Sequence, residues 1–234
     1  MKKQIIIWVS IFAVTMGIFE GAVVVYLREL YYPDGFNFPL TMMENHIAIT
    51  ELIRELASLF MLLSVGVLAG KTLSERFAWF IYSFAIWDIV YYIFLYLILG
   101  WPENLLTWDV LFLLPVIWTG PVITPIIVSF LMITLAIITI YFGVKLKRQE
   151  WLLLILGASI IFVSFIWDYC RFLNNQFILS KTPSKSFIDK LSDLTLEYIP
   201  GKFPWLIYIL GVVVLLFTFY IIYKRNRNFR NYSS

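Results

Sequence analysis

Five stretches of this chain are each about 20 residues long and almost wholly apolar, and that constrains the fold more than anything else in it. They lie at roughly 5–27, 77–100, 119–144, 150–172 and 204–223. A membrane-spanning helix needs about 20 mostly apolar residues, so each qualifies. A sixth stretch, roughly 48–70, is apolar from Ala57 to Gly70 but carries Glu51, Arg54 and Glu55 in its first two turns. Composition agrees: 61% of the 234 residues are hydrophobic and 14% are charged, against about 45–50% and 25% in a soluble domain. A soluble globule could neither hide that much apolar surface nor stay dispersed with so few charges. An ordinary cytosolic enzyme, a disordered regulator and a nucleic-acid binder are excluded. The expected fold is all-α and integral to the membrane: one polytopic domain over 1–234, a bundle of six transmembrane helices in the lipid bilayer.

Basic residues set the expected orientation. With the N-terminus in the cytoplasm, the inner side collects Lys2, Lys3, Lys71, Arg76, Lys145, Lys147, Arg148, Lys224, Arg225, Arg227 and Arg230, eleven of the 18 lysines and arginines. That is the pattern of the positive-inside rule. Both termini are then cytoplasmic, and a bacterial plasma (inner) membrane is the expected location. The apolar run after Met1-Lys2-Lys3 continues to Leu27 without a convincing cleavage site, so it reads as an uncleaved first span.

The segment at about 109–125 breaks the pattern. Pro115, Gly120, Pro121 and Pro125 fall within it, and proline removes a helical donor and clashes with the preceding turn. Two readings stand: a short helix or dipping loop at 109–117 followed by a break, or a proline-kinked helix. Broken backbone survives at membrane depth only against protein or a water-filled cavity. The outer loop 173–203 has a mixed periodicity from Ser186 to Tyr198, consistent with a surface helix at about 186–198. Gly17/Gly21 and Gly66/Gly70 are spaced for close helix approach.

Nine charges sit where lipid tolerates them least. In the six-span order, Glu20, Arg28, Glu51, Arg54, Glu55, Asp88, Asp109, Asp168 and Arg171 all fall between the midplane and the outer face, with Asp88 nearest the middle. An ionised side chain at the helix centre is unfavourable by about 2.5–3.5 kcal/mol, so such groups turn inward and pair. Glu51, Arg54 and Glu55 share one helix face. Tyr91, Tyr92 and Tyr96 follow Asp88 at helical spacing, and Ser164, Asp168 and Arg171 form a third face. Trp-Asp pairs recur at Trp87-Asp88, Trp108-Asp109 and Trp167-Asp168, and an indole beside a carboxylate suits a half-polar wall. The wall of the expected cavity is Tyr91, Tyr92, Trp87, Trp167 and Trp118.

Six acids against three arginines leave three negative charges that a dry interior cannot hold ionised. Protons, a bound cation or closed Arg–carboxylate pairs would each resolve them. Carboxylates suit a divalent cation such as Mg²⁺ or Ca²⁺, and Glu51, Glu55 and Asp168 are the candidate ligands. One histidine, His46, and one cysteine, Cys170, exclude paired-histidine zinc, bis-histidine haem and an intramolecular disulfide. No lysine lies deep in a span for a retinal. Three functions fit, and the sequence leaves open whether the protein is an enzyme. The first is a small ion- or proton-coupled transporter with an outward-facing cavity. The second is a metal-dependent enzyme acting on a lipid or lipid-linked phosphate at the outer leaflet. The third is a non-catalytic subunit or assembly factor. The matching ligands are a cation, a proton or a lipid.

Overall fold

The computed structural model describes residues 2–179 and 194–231. Six helices cross the bundle: α1 (Lys2–Tyr31), α2 (Asn45–Ala69), α3 (Leu73–Leu99), α4 (Ile123–Phe142), α5 (Arg148–Leu179) and α6 (Trp205–Asn231). Each holds an 18-residue window of mean hydropathy between 1.7 and 2.6, yet only 22–39% of each window is buried inside the protein. Leu68 and Leu206 are each 86% exposed. Apolar surface on that scale needs lipid as its solvent, and the chain is an integral membrane protein.

Helix α3 is the central element, with α1, α2 and α4 packed on it, and α5 and α6 form a second pair. Helices α1 and α2 barely touch one another. Small residues set the closest approaches. A Cβ on Gly17 would lie 2.7 Å from the Trp87 carbonyl oxygen, and one on Gly66 2.7 Å from that of Arg76, so both expected glycine pairs are contacts with α3. Gly157 and Gly211, which no spacing rule flags, meet across α5 and α6: a Cβ on Gly211 would lie 3.0 Å from the Gly157 oxygen.

Over 108–121 the backbone forms a hairpin and not a helix. Strands β1 (Trp108–Phe112) and β2 (Trp118–Pro121) pair antiparallel, with Asp109 opposite Gly120 and Val110 opposite Thr119. The all-α expectation holds for the bundle, which takes in a two-stranded hairpin at this one segment. The reason is donor accounting: Pro115 and Pro121 cannot feed a helical ladder, whereas two strands satisfy each other's backbone groups away from water. Helix α4 therefore starts at Ile123, four residues later than expected from 119. Pro125 lies in its first turn, where an amide N–H would have no partner in any case. Thr124 Oγ1 donates to the Pro121 carbonyl at 2.7 Å and closes the corner.

Long-range contacts define two ends. At the hairpin end, Tyr198 is fully buried. Its hydroxyl shares a hydrogen bond with Thr119 Oγ1 at 2.9 Å and donates to Asp168 Oδ2 at 3.0 Å, pinning the chain after α5 to the hairpin. Burial and the adjacent Asp168 push the Tyr198 phenol upward, so it stays a donor. Residues 194–197 are helical; the rest of the expected surface helix, 186–193, lies outside the described residues.

At the opposite end, the Leu146 N–H donates to Ser74 Oγ at 2.9 Å, joining the α2–α3 and α4–α5 turns. Buried Glu150 takes Arg225 as a two-pronged partner, Nε at 2.8 Å and Nη2 at 2.9 Å, and also accepts from the Lys147 N–H at 2.7 Å. The expectation that buried charge gathers at one end misses this pair. A glutamate two residues into a helix reads as an interfacial charge until its partner on α6 is known.

Candidate functional site: an acidic, aromatic cavity beside the hairpin

At the hairpin end, α1, α2, α3, α5, the hairpin, the 32–43 segment and residues 195–196 line a cavity of about 910 Å³. Seven of the nine expected charges line it: Glu20, Arg28, Glu51, Arg54, Glu55, Asp88 and Asp109. Helical spacing explains the α2 contribution. Glu51 and Glu55 lie on the buried face, and Arg54 stands beside them.

Arg54 is the bridge of this wall. It donates to Glu51 at 2.8 Å on its own helix and to Glu20 on α1. One guanidinium therefore serves two carboxylates and ties together two helices that otherwise barely meet. Glu55 has a different partner, the Leu113 N–H at the hairpin turn, 2.9 Å from Oε1 and 3.2 Å from Oε2. Asp88 accepts from Ser129 Oγ on α4 at 2.7 Å.

The fourth carboxylate group is a small network around Asp109, which is 2% exposed. Tyr92 donates its hydroxyl to Oδ2 at 3.1 Å, and Arg28 Nη2 approaches Oδ1 at 3.4 Å. Burial pushes the Asp109 carboxyl up to about 6, against the opposing pull of Arg28 and Tyr92. The Arg28 guanidinium lies 3.6 Å from the Trp101 ring centre and 4.6 Å from that of Phe36, a cation–π seat that fixes its plane. Its Nη1 is buried and has no hydrogen-bond partner among the described residues, and neither has Trp87 Nε1 on the same cavity.

The remaining expectations divide. Trp87, Tyr91 and Tyr92 line the cavity. Tyr96 is 60% exposed and leaves the phenol stripe, while Leu95 beside it is fully buried. Trp118 is not a lining residue: it packs between Phe112, Phe162 and Phe165 behind the hairpin. Trp167 and Arg171 are exposed. Asp168 is not a lining residue either, because its Oδ2 accepts from Tyr198 and from the Gly201 N–H at 2.9 Å. The metal set Glu51, Glu55 and Asp168 is consequently not assembled. Among the described residues no three His, Cys, Asp or Glu side chains come together to hold a metal ion. His46 is exposed beside Glu44, and Cys170 is exposed as well.

The partners that sequence reasoning misses are the Leu113 amide, Ser129, Trp101 and Phe36. None stands at a helical spacing from the charge it meets. The Phe36-containing segment between α1 and α2 reads only as a connecting loop. No family model, curated protein or solved structure matches the chain.

Proposed function

We propose that the protein is a small proton-coupled membrane transporter, with Asp88 as the coupling carboxylate. One observation carries the reading: five carboxylates and two guanidiniums line a single cavity in the bundle. Removing Asp168 and Arg171 from the expected set takes away one charge of each sign, so the excess of three acids remains. The five acids stand on four elements, with Arg54 shared by Glu20 and Glu51 and separate donors for Glu55, Asp88 and Asp109. Their neutralisation therefore falls to protons taken up one at a time, rather than to one cation held by several acids. Asp88 suits the coupling role because, among the described residues, a single serine hydroxyl is its hydrogen-bond donor and no arginine locks its charge. A metal-dependent hydrolase has less support, since the acids that would hold its ion are spread apart. The basic turns at 71–76 and 145–148 lie together at the end away from the cavity. By the positive-inside rule that supports an outward-facing opening.

The test is solute-driven proton movement. Proteoliposomes loaded with a pH-sensitive dye are challenged with alkyl sulfonates, alkyl ammoniums and small polar solutes, against protein-free vesicles. The expected result is protein-dependent acidification with one class of solute, cut at least tenfold by Asp88→Asn. Proton flux that Asp88→Asn leaves unchanged removes Asp88 from the mechanism. Absence of solute-driven flux with every class overturns the transporter reading.

A further inference from the structure

The unmet polar demand of the cavity is for an acceptor, not for a cation. Five buried side-chain atoms lack partners among the described residues, and four of them are N–H groups: Arg28 Nη1 and the indole nitrogens of Trp87, Trp101 and Trp118. Arg28 and Trp87 line the cavity, and Trp101 is the ring on which Arg28 rests. Unsatisfied buried donors are rare and unfavourable by about 1–3 kcal/mol each, so three of them in one region point to something that arrives.

Arg28 is built to receive an anion. It is 7% exposed, its plane is set by Trp101 and Phe36, and a guanidinium fork carries five N–H donors. Its one charged contact among the described residues, Nη2 to Asp109 Oδ1 at 3.4 Å, is long and single, where a strong arginine–carboxylate pair is shorter and two-pronged. The wall beyond it is apolar and aromatic, from Val24, Leu27, Leu52 and Phe84. A cavity of about 910 Å³ is at the upper end of the range that encloses drug-sized ligands.

We infer that Arg28 anchors the oxyanion of an amphipathic, single-chain ligand, exchanging Asp109 for that oxyanion as Asp109 takes up one proton. The inference rests on the proton-coupled reading and deepens it by naming the substrate class. The exchange balances. One proton from solution bonds to an Asp109 carboxyl oxygen, the Arg28–Asp109 ion pair opens, and the guanidinium pairs with the incoming anion. One proton and one negative charge enter together, so the cavity's net charge is unchanged. The groups facing Asp109 favour this direction. Asp88 from α3 repels a charge on it, Tyr91 and Tyr92 on the same helix carry hydroxyls, and Glu20 on α1 and Glu55 on α2 line the same cavity. Arg28 is the cation that holds Asp109 ionised, with Arg54 already engaged by Glu20 and Glu51.

The experiment measures binding of probes that share a twelve-carbon tail and differ in head group. Full-length protein in zwitterionic nanodiscs is titrated by calorimetry with dodecanesulfonate, whose charge does not change with pH, with dodecyltrimethylammonium and with dodecyl maltoside. Lysophosphatidylglycerol adds a lipid phosphodiester. The expected order is sulfonate and lysolipid well above the other two. Because the anion binds with one proton, affinity falls about tenfold per pH unit above 6, or roughly 100-fold by pH 8. Asp109→Asn holds the pH 5 affinity at pH 8, and Arg28→Gln loses binding at every pH. Sulfonate affinity that is flat with pH, trimethylammonium binding as tight as sulfonate, or an Asp109→Asn profile like the wild type overturns the proposal. If Arg28→Gln does not fold, the wild-type pH series and the head-group comparison still decide. Whichever anion binds tighter assigns the source, a membrane lipid or a free amphiphile. Anion binding without proton flux removes the transporter reading and keeps the site; flux without anion binding does the reverse.

Discussion

Arg54→Leu is expected to lower the stability of the folded bundle by about 3–5 kcal/mol, the range for removing one partner of a buried charge pair. Arg54 is the shared partner of Glu20 and Glu51, whose side chains are 13% and 10% exposed. Without it two carboxylates face each other across the α1–α2 gap with no cation between them. The remedy follows from the same physics. Adding Glu20→Gln and Glu51→Gln to the Arg54→Leu chain removes both stranded charges and is expected to recover most of the loss. The measurement is reversible unfolding of the single and triple variants in the same detergent. A loss under about 1 kcal/mol in the single variant would mean that water already reaches this wall and screens the pair.

Gly17→Leu is expected to lower stability by about 3 kcal/mol, the upper end of ordinary overpacking, by prising α1 from α3. A Cβ at this position already lies 2.7 Å from the Trp87 carbonyl and 2.8 Å from Val90 Cβ. The first neighbour is backbone and cannot turn aside. Gly21, one turn on, is the internal comparison: a Cβ there meets the Phe94 ring at 2.6 Å, and a ring can rotate. Gly21→Ala is therefore expected to be the milder change, about 1 kcal/mol, by thermal unfolding of both variants. Equal effects at the two positions would show that the helices separate as freely at Gly17 as at Gly21. The same displacement would shift Trp87, which lies on the cavity.

The faces that carry the site are legible in the sequence where the information is local. Glu51, Arg54 and Glu55 had to share a face because a helix repeats every 3.6 residues, and all three line the cavity. Asp88 with Tyr91 and Tyr92 followed for the same reason. Asp168 shows the limit of that logic. It has the same Trp-Asp setting as Asp88, yet its carboxylate turns to Tyr198 and Gly201, 30 and 33 residues further along. The pattern could place it on a helix face but could not say which neighbour that face would meet. Trp118 failed in a similar way. Its bulk suited either a wall or a core, and the hairpin register turned it towards Phe162 and Phe165.

Six spanning helices follow from the sequence by itself, because the transfer of some 20 apolar residues into lipid depends on length and composition and not on partners. The same holds for the interruption of any helix across 109–121, where the prolines break the ladder locally. Which structure replaced that helix was a tertiary decision: strands exist only in pairs, and the hairpin is held at its turn by Glu55, 58 residues away from Leu113. The cavity is tertiary too. Arg28 and Asp109 stand 81 residues apart, and only the packing of α1 beside α3 and the hairpin brings a guanidinium, a buried carboxylate and an indole face within reach of one another.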